Sequence, residues 1–230
     1  MDKGTDNTPV KKEKYVSFRL GNEPYFPIVA EYMAEEFVAL GGKLETPWLE
    51  SAYAHGFFPF FAYKRERISW SCPTDRFVIF TDRIHISHSM RNLINKNQYT
   101  VTLDKDFPSV IRNCSSNGGR NESQWAWLGP DIIKAYIQFH KEGHAHSVEV
   151  WDNDGKLVGG LYGVLSGEVF CGESMFSLVQ GASKLALISL AKSLNEVGIK
   201  LIDCQYETPH LLSMGGEHMT YMEYIKYLGW

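Results

Sequence analysis

Two carboxylates and an amide occupy positions from which they could act on one substrate. Glu173 lies in "FCGESMFS", and Asp203 and Gln205 lie in "KLIDCQ". Both runs read as short apolar strands interrupted by polar groups. Side chains alternate along a strand, so Leu201, Asp203 and Gln205 share one face, with Ile202 and Cys204 on the other. A buried carboxylate without a partner is costly, so that face must meet something polar or cationic. Two carboxylates beside an amide can accept N–H bonds and thereby orient an incoming amine. The competing reading of the same residues is a structural network around a helix end.

The flanking elements decide whether the three groups meet. From Ala145, "SVEVWDNDGKLVGGLYGVLSGEVFCGESMF" contains three alternating segments with turns at 152–155 and 166–167, an antiparallel meander. An amphipathic helix follows in "SKLALISLAKSLNEVGIK", with Ser183 as candidate cap and Leu185, Leu187, Ile188, Ala191, Leu194 and Val197 on one broad face. The strand 200–205 comes next. A right-handed crossover would set the strand through Gly172 parallel to the strand through Asp203. Ligands favour the crevice at the carboxyl ends of such strands, where "CGESMFS" and "DCQ" both end.

Upstream signals are weaker. "TPWLESAYAHGFFPFF" reads as a short helix with Thr46 as N-cap, Pro47 at N1 and Gly56 as its stop. Phe57, Phe58, Phe60 and Phe61 then cluster around Pro59. "SWSCPTD" reads as a hinge into a unit that begins with the strand "RFVIF". "SHSMRNLINKN" predicts a helix, "YTVTLD" a strand, and "PDIIKAYIQFHKEG" a helix that buries Ile133, Tyr136, Ile137 and His140.

At 230 residues, 44% hydrophobic and 22% charged, the chain has the makeup of a globular protein with a real core. No apolar run approaches the roughly 18 residues of a membrane span. The opening "MDKGTDNTPVKKEK" lacks the apolar stretch of a secretory signal and predicts a flexible tail over 1–14. Four scattered cysteines without a C-x-x-C pair point to reduced thiols. His144 and His146 in "GHAHS" could chelate, but no third ligand is placed beside them and no metal is expected. G-x-x-x-x-G-K-[ST] and G-x-S-x-G are absent from the sequence, which removes the main supports for nucleotide or serine hydrolysis. Trp125, Trp127 and Phe60 could stack on nucleobases.

Charge is unevenly spread. From Lys64 to Arg120 ten Lys/Arg face five acids, whereas from Glu142 onward five Lys/Arg face eleven acids. A basic middle suits an anionic partner and an acidic end a cationic one.

The stretches "GHAHSVEVWDNDGKLVGGLYGVLSGEVFCGESMFS", "ASKLAL" and "KLIDCQ" closely resemble the bacterial leucyl/phenylalanyl-tRNA–protein transferases. "ALGGKLETPWLESAYAHGFFPFF" and "RIHISHSMR" match the same family in the same order, so the resemblance runs from about Phe37 to about Tyr227. It implies an α+β protein. A small N-terminal domain (1–73) would pack on a Gcn5-related N-acetyltransferase-like domain (74–230) with a mixed, mostly antiparallel sheet. It also implies an enzyme that moves Leu, Phe or less readily Met from aminoacyl-tRNA to the N-terminal amine of proteins starting with Arg or Lys. In cells this marks them for N-degron degradation.

On this resemblance the catalytic positions are Asp203 and Gln205, with Glu173 binding substrate. An amide has negligible basicity, so Gln205 is expected to orient the attacking amine and Asp203 to support it electrostatically. Glu173 is expected to meet the acceptor's cationic terminus, or alternatively the donor's amino group. The apolar amino-acid pocket carries over to Leu161, Phe170, Leu187 and Leu190, and the two stacking positions to Phe60 and Trp127. Phe60 stands where the family commonly has Trp, and Leu190 replaces an aromatic residue.

Arg76, Arg83 and Arg91 are the expected tRNA contacts. No cofactor, metal or membrane is expected. The cytoplasm is the expected compartment and a monomer the expected state. The competing functions are a CoA-dependent N-acetyltransferase and a non-catalytic tRNA-binding module. The former should show [QR]-x-x-G-x-[GA] before the helix, which "QGASKL" does not match.

Overall fold

The computed structural model describes residues 12–60, 68–117 and 128–230. Strands β1 (Glu13–Arg19) and β2 (Ala34–Leu40) run parallel to each other. Helix α1 (Thr46–Ala54), β3 (Phe58–Pro59) and β4 (Ser69–Pro73) follow, and the four strands form a sheet in the order β1-β2-β4-β3. The stretch read as a hinge, "SWSCPTD", is therefore largely strand β4, which is buried throughout. Its polar groups are satisfied within the fold: the Ser69 hydroxyl donates to Phe60 O, the Ser71 hydroxyl to Glu36 and the Trp70 indole to Gly41 O (2.9 Å).

The larger sheet begins with β5 (Asp75–Phe80), followed by α2 (His88–Asn95), β6 (Thr100–Leu103), α3 (Phe107–Asn117) and α4 (Pro130–Lys141). Then come the meander strands β7 (Ala145–Trp151), β8 (Leu157–Ser166) and β9 (Val169–Ser177). The chain ends through α5 (Ala182–Glu196), β10 (Leu201–Asp203), α6 (Pro209–Leu212), β11 (Glu217–Thr220) and α7 (Tyr221–Tyr227). The seven strands lie in the order β11-β5-β10-β9-β8-β7-β6. Only β9 and β10 pair in parallel, and every other neighbour is antiparallel. The fold is α+β with a mixed, mostly antiparallel sheet, and α5 makes the crossover between its two parallel strands.

Local chemistry accounts for several boundaries. The Ser87 hydroxyl accepts from Met90 N and starts α2. Thr46 is the first residue of α1 rather than its cap, and its hydroxyl is committed to Glu142. Gly181, with φ 84°, caps α5, which begins at Ala182, so Ser183 lies inside the helix. Its buried set adds Ala182, Ala186 and Leu190 to the expected face, while Val197 is exposed. Helix α4 buries Ile132, Tyr136 and Phe139, one residue round from the expected Ile133 and Ile137. Among the described residues no helix is long and apolar enough to cross a membrane.

Two apolar clusters hold these layers. One runs through both sheets, from Phe26, Trp48 and Trp70 to Tyr136, Tyr162 and Tyr224. The other lies under α5 and includes Leu161, Phe170, Leu187, Leu190 and Ile202. The packing on β8 is close enough to need glycine. At Gly163 a Cβ would fall on Cys171 O and the Phe170 ring, beside the register shift between Tyr162 and Gly163. Gly163→Ala should therefore destabilise the protein by about 1–3 kcal/mol, the usual cost of overpacking, seen as a lowered urea midpoint at unchanged m-value.

Candidate active site

Asp203 ends β10 and is 1% exposed, so its charge must be answered from within. Arg76 of β5, also 1% exposed, places Nη2 3.5 Å from Asp203 Oδ2. The Tyr224 hydroxyl of α7 donates to the same oxygen (2.9 Å). Arg76 also donates to Gly56 O, just after α1. Its guanidinium lies over the Tyr224 ring (4.5 Å) and the Phe58 ring (5.5 Å), while Nε and Nη1 find no acceptor among the described residues. Burial, the largest single influence, would lower the Arg76 pKa; Asp203 first, with Tyr224, Cys72 and Cys171, together outweighs it, and the guanidinium ends above its ordinary range.

The other Asp203 oxygen, Oδ1, accepts from the Gln205 backbone N–H (2.8 Å). Gln205 has φ 66°, the left-handed region, so the chain leaves the strand before it reaches Gln205. The expectation that Asp203 and Gln205 share a strand face is thus corrected: they meet through a turn closed by the Asp203 carboxylate. That turn sends the Gln205 amide to Glu173, where Nε2 donates to Oε1 (3.2 Å). The Gln205 backbone carbonyl accepts from the Phe77 N–H (3.4 Å), while its side-chain Oε1 takes no hydrogen bond among the described residues.

Glu173 sits mid-way along β9 and is part-buried. Tyr53 of α1 donates to its Oε1 (2.8 Å), and the Tyr136 hydroxyl of α4 lies 3.4 Å from its Oε2 and within hydrogen-bond reach of the Tyr53 hydroxyl, so its single proton serves one or the other. Desolvation is the largest influence and lifts the Glu173 carboxyl to about 8, with the Asp203 charge adding and the two hydroxyls opposing. Burial first, then Glu173, pushes both tyrosines well above their ordinary range, so they remain donors.

Glu173 and Gln205 open onto a cavity of about 810 Å³ whose wall includes Leu161, Phe170, Leu187 and Leu190. Six of the expected site residues therefore line one chamber, and Asp203 stands behind it. Phe60 is 46% exposed and is not on that wall; Trp127 lies outside the described residues. Arg91 is exposed, and Arg83 is exposed but paired with Glu217 (3.1 Å). Arg76 as a tRNA contact is overturned: a guanidinium 1% exposed and held on Asp203 cannot reach a phosphate. The charges of Asp203 and Arg76 answer each other inside the protein.

The description of a known family, "Leucyl/phenylalanyl-tRNA protein transferase", matches residues 78–229. A curated relative from Flavobacterium psychrophilum, so named, is 46% identical over 209 residues, covering 91% of this chain and 98% of its own. Another, from Chromohalobacter salexigens, is 45% identical over 205 residues, covering 88% of this chain and 78% of its own. The chain belongs to the leucyl/phenylalanyl-tRNA protein transferase family. Leucyl/phenylalanyl-tRNA protein transferases are aminoacyltransferases, and this chain is an enzyme of that class. Among solved structures, a GCN5-related N-acetyltransferase from Sphaerobacter thermophilus is similar at a TM-score of 0.42 and 11% identity, covering 80% of this chain and 57% of its own.

In this member of the transferase family, the residues that sequence reasoning missed are the partners: Arg76 as an ion-pair member, Tyr53, Tyr136 and Tyr224. One signal was present. "RFVIF" carries a lone cation and "KLIDC" a lone acid inside otherwise buried runs, and two such charges call for each other. The tyrosines carry no comparable mark.

The lifted Glu173 carboxyl makes a testable statement about stability. Its folded value near 8 exceeds the ordinary 4.5, so the stabilisation linked to its proton is complete below 4.5 and lost as pH rises to about 8. Wild type should lose stability relative to Glu173→Gln across that window, by at most about 1.4 kcal/mol per pH unit. Urea unfolding of both proteins at pH 5, 6.5 and 8.5 measures it, and a constant gap would contradict the environment described.

Proposed function

We propose that this chain transfers a leucyl or phenylalanyl group, and less readily a methionyl group, from aminoacyl-tRNA to the N-terminal amine of proteins that begin with Arg or Lys. The transfer would mark those proteins for N-degron degradation in the cytoplasm. The observation that carries this reading is one part-buried carboxylate, Glu173, on the wall of an apolar cavity. That arrangement complements an aminoacyl group with an apolar side chain and a cationic amine. Leu161, Phe170, Leu187 and Leu190 take the side chain, and Glu173 takes the donor's α-ammonium, which favours the ionised carboxylate. This assigns Glu173 to the donor rather than to the acceptor.

The aminoacyl ester is already activated, so the protein's task is alignment. Gln205 has its Nε2 fixed on Glu173, which leaves its carbonyl oxygen to accept an N–H of the acceptor amine. The amine lone pair attacks the ester carbonyl carbon, a C–N bond forms and the ester C–O bond breaks. The amine's proton goes to the departing ribose oxygen, directly or through the neighbouring hydroxyl. Gln205 acts by orientation, and no basicity is asked of its amide. Asp203 is a positioning residue: it is 1% exposed, neutralised by Arg76, and bonded to the Gln205 backbone.

Outside the cavity, Phe60 offers an exposed ring to a terminal base, with Trp127 as its companion. Arg91 and Arg83 would face tRNA phosphates. The exposed Arg83–Glu217 pair contributes under about 1 kcal/mol, so a phosphate can replace Glu217. The division of the chain near residue 74 into a small domain and a catalytic domain belongs to the same proposal.

Incubation with labelled Leu-tRNA or Phe-tRNA and an Arg-initiated protein tests the reading; label should appear in protein. Binding of charged tRNA without product would identify a non-catalytic module instead. Gln205→Ala should lower kcat by about two to three orders of magnitude, the effect of removing one preorganised polar group, while the KM for charged tRNA changes little. Near-normal turnover would remove Gln205 from the mechanism.

A further inference from the structure

Tyr206 follows Gln205 directly and also lines the cavity, but its hydroxyl belongs to a different network. It donates to Glu36 Oε1 of β2 (3.0 Å). Ser71 of β4 donates to the same oxygen and lies 3.0 Å from the Tyr206 hydroxyl. One carboxylate oxygen therefore receives two hydroxyl donors. The other, Oε2, takes no hydrogen bond among the described residues, and no described cation pairs with Glu36.

Glu36 differs in this from the acids around it. Asp203 has Arg76, and Glu173 has two tyrosines and an amide. Glu207, next to Tyr206, shares His218 with Asp75. Glu36 is left part-buried, oriented by two hydroxyls, with an open oxygen one tyrosine side chain away from the cavity wall. Such a group is built to meet a cation that arrives with the substrate.

We propose that Glu36 reads the side chain of the acceptor's first residue. With the acceptor α-amine at the Gln205 carbonyl, a long cationic side chain leaves the same Cα and reaches across Tyr206. Its guanidinium or ammonium then donates to Glu36 Oε2. The Tyr206 ring gives the aliphatic stem an apolar surface to lie along. A short side chain fails to span the distance, and a long neutral one loses the charge. The inference rests on the acceptor class proposed above, and it separates the acceptor's reader, Glu36, from the donor's, Glu173.

The test uses the full chain, Leu-tRNA, and peptides initiated by Arg, Lys or citrulline, the last a neutral analogue of Arg. Glu36→Gln keeps an acceptor oxygen for the Ser71 and Tyr206 hydroxyls and removes the charge. The variant should lose about tenfold to a hundredfold in kcat/KM for Arg- and Lys-initiated peptides, the range for a charged hydrogen bond. Transfer to the citrulline peptide and the KM for Leu-tRNA should stay as in wild type, which also reports that the variant is folded. An unchanged Arg-to-citrulline ratio in the variant overturns the proposal. So does a wild type that transfers equally well to both peptides, a result that leaves the transferase reading intact and needs no variant. A wild type that transfers to none of the three overturns that reading, and the Glu36 assignment with it.

Discussion

The buried pair between Arg76 and Asp203 is the constraint on which the site depends. Both side chains are 1% exposed, and removing either partner of such a pair typically costs about 3–5 kcal/mol because a lone charge stays behind. The pair therefore dictates what surrounds it. It joins β5 to β10 and holds the end of α1 through the Gly56 carbonyl. It also recruits α7 through the Tyr224 hydroxyl and ring. Gly56 has φ 78°, and a Cβ there would come within 3.1 Å of Arg76 Nη2, so the close approach itself selects glycine.

From that anchor the order passes outward by single hydrogen bonds. Asp203 closes the turn that holds Gln205 at φ 66°, a conformation a non-glycine residue adopts only at some cost. Gln205 reaches Glu173, and Glu173 gathers Tyr53 and Tyr136 from two helices on separate parts of the chain. Each step removes freedom from the next group, so the amide facing the cavity is aligned before any substrate arrives. Preorganisation of this kind is what an already activated ester requires.

The meander, α5 and the parallel β9–β10 pair were legible because their periodicity is strong and their turns carry glycine and aspartate. Glu173 followed from the strand–helix–strand order and the four apolar wall residues from the family resemblance, and the cavity brings them together. The N-terminal sheet was not legible: β1 and β2 pair in parallel across a long connection, and β4 reads as a polar hinge although all of it is buried. Arg76 misled for a related reason. A positive charge in sequence looks like surface until its distant counter-ion is placed beside it, and Asp203 is more than a hundred residues away. Gln205 misled because alternation was carried one turn too far, past the point where φ becomes positive.

The two carboxylates at the end of the crossover receive opposite treatment, and that difference organises the chemistry. Asp203 is matched by a guanidinium inside the protein, so its charge is spent on structure. Glu173 receives only hydroxyls and an amide as direct partners, and desolvation lifts its carboxyl to about 8 against the weaker opposing pull of the two hydroxyls and of Arg76. A group held in that condition gains from an ammonium brought by a ligand, since the ligand's charge removes the penalty the fold leaves standing. Glu36, oriented by two hydroxyl donors and paired with no described cation, would on the proposal above leave its counter-charge to the substrate. An amino group on the donor and a cationic side chain on the acceptor would then be read by two separate acids. On that proposal the cavity beside Glu173 would hold the part of the substrate that carries no charge.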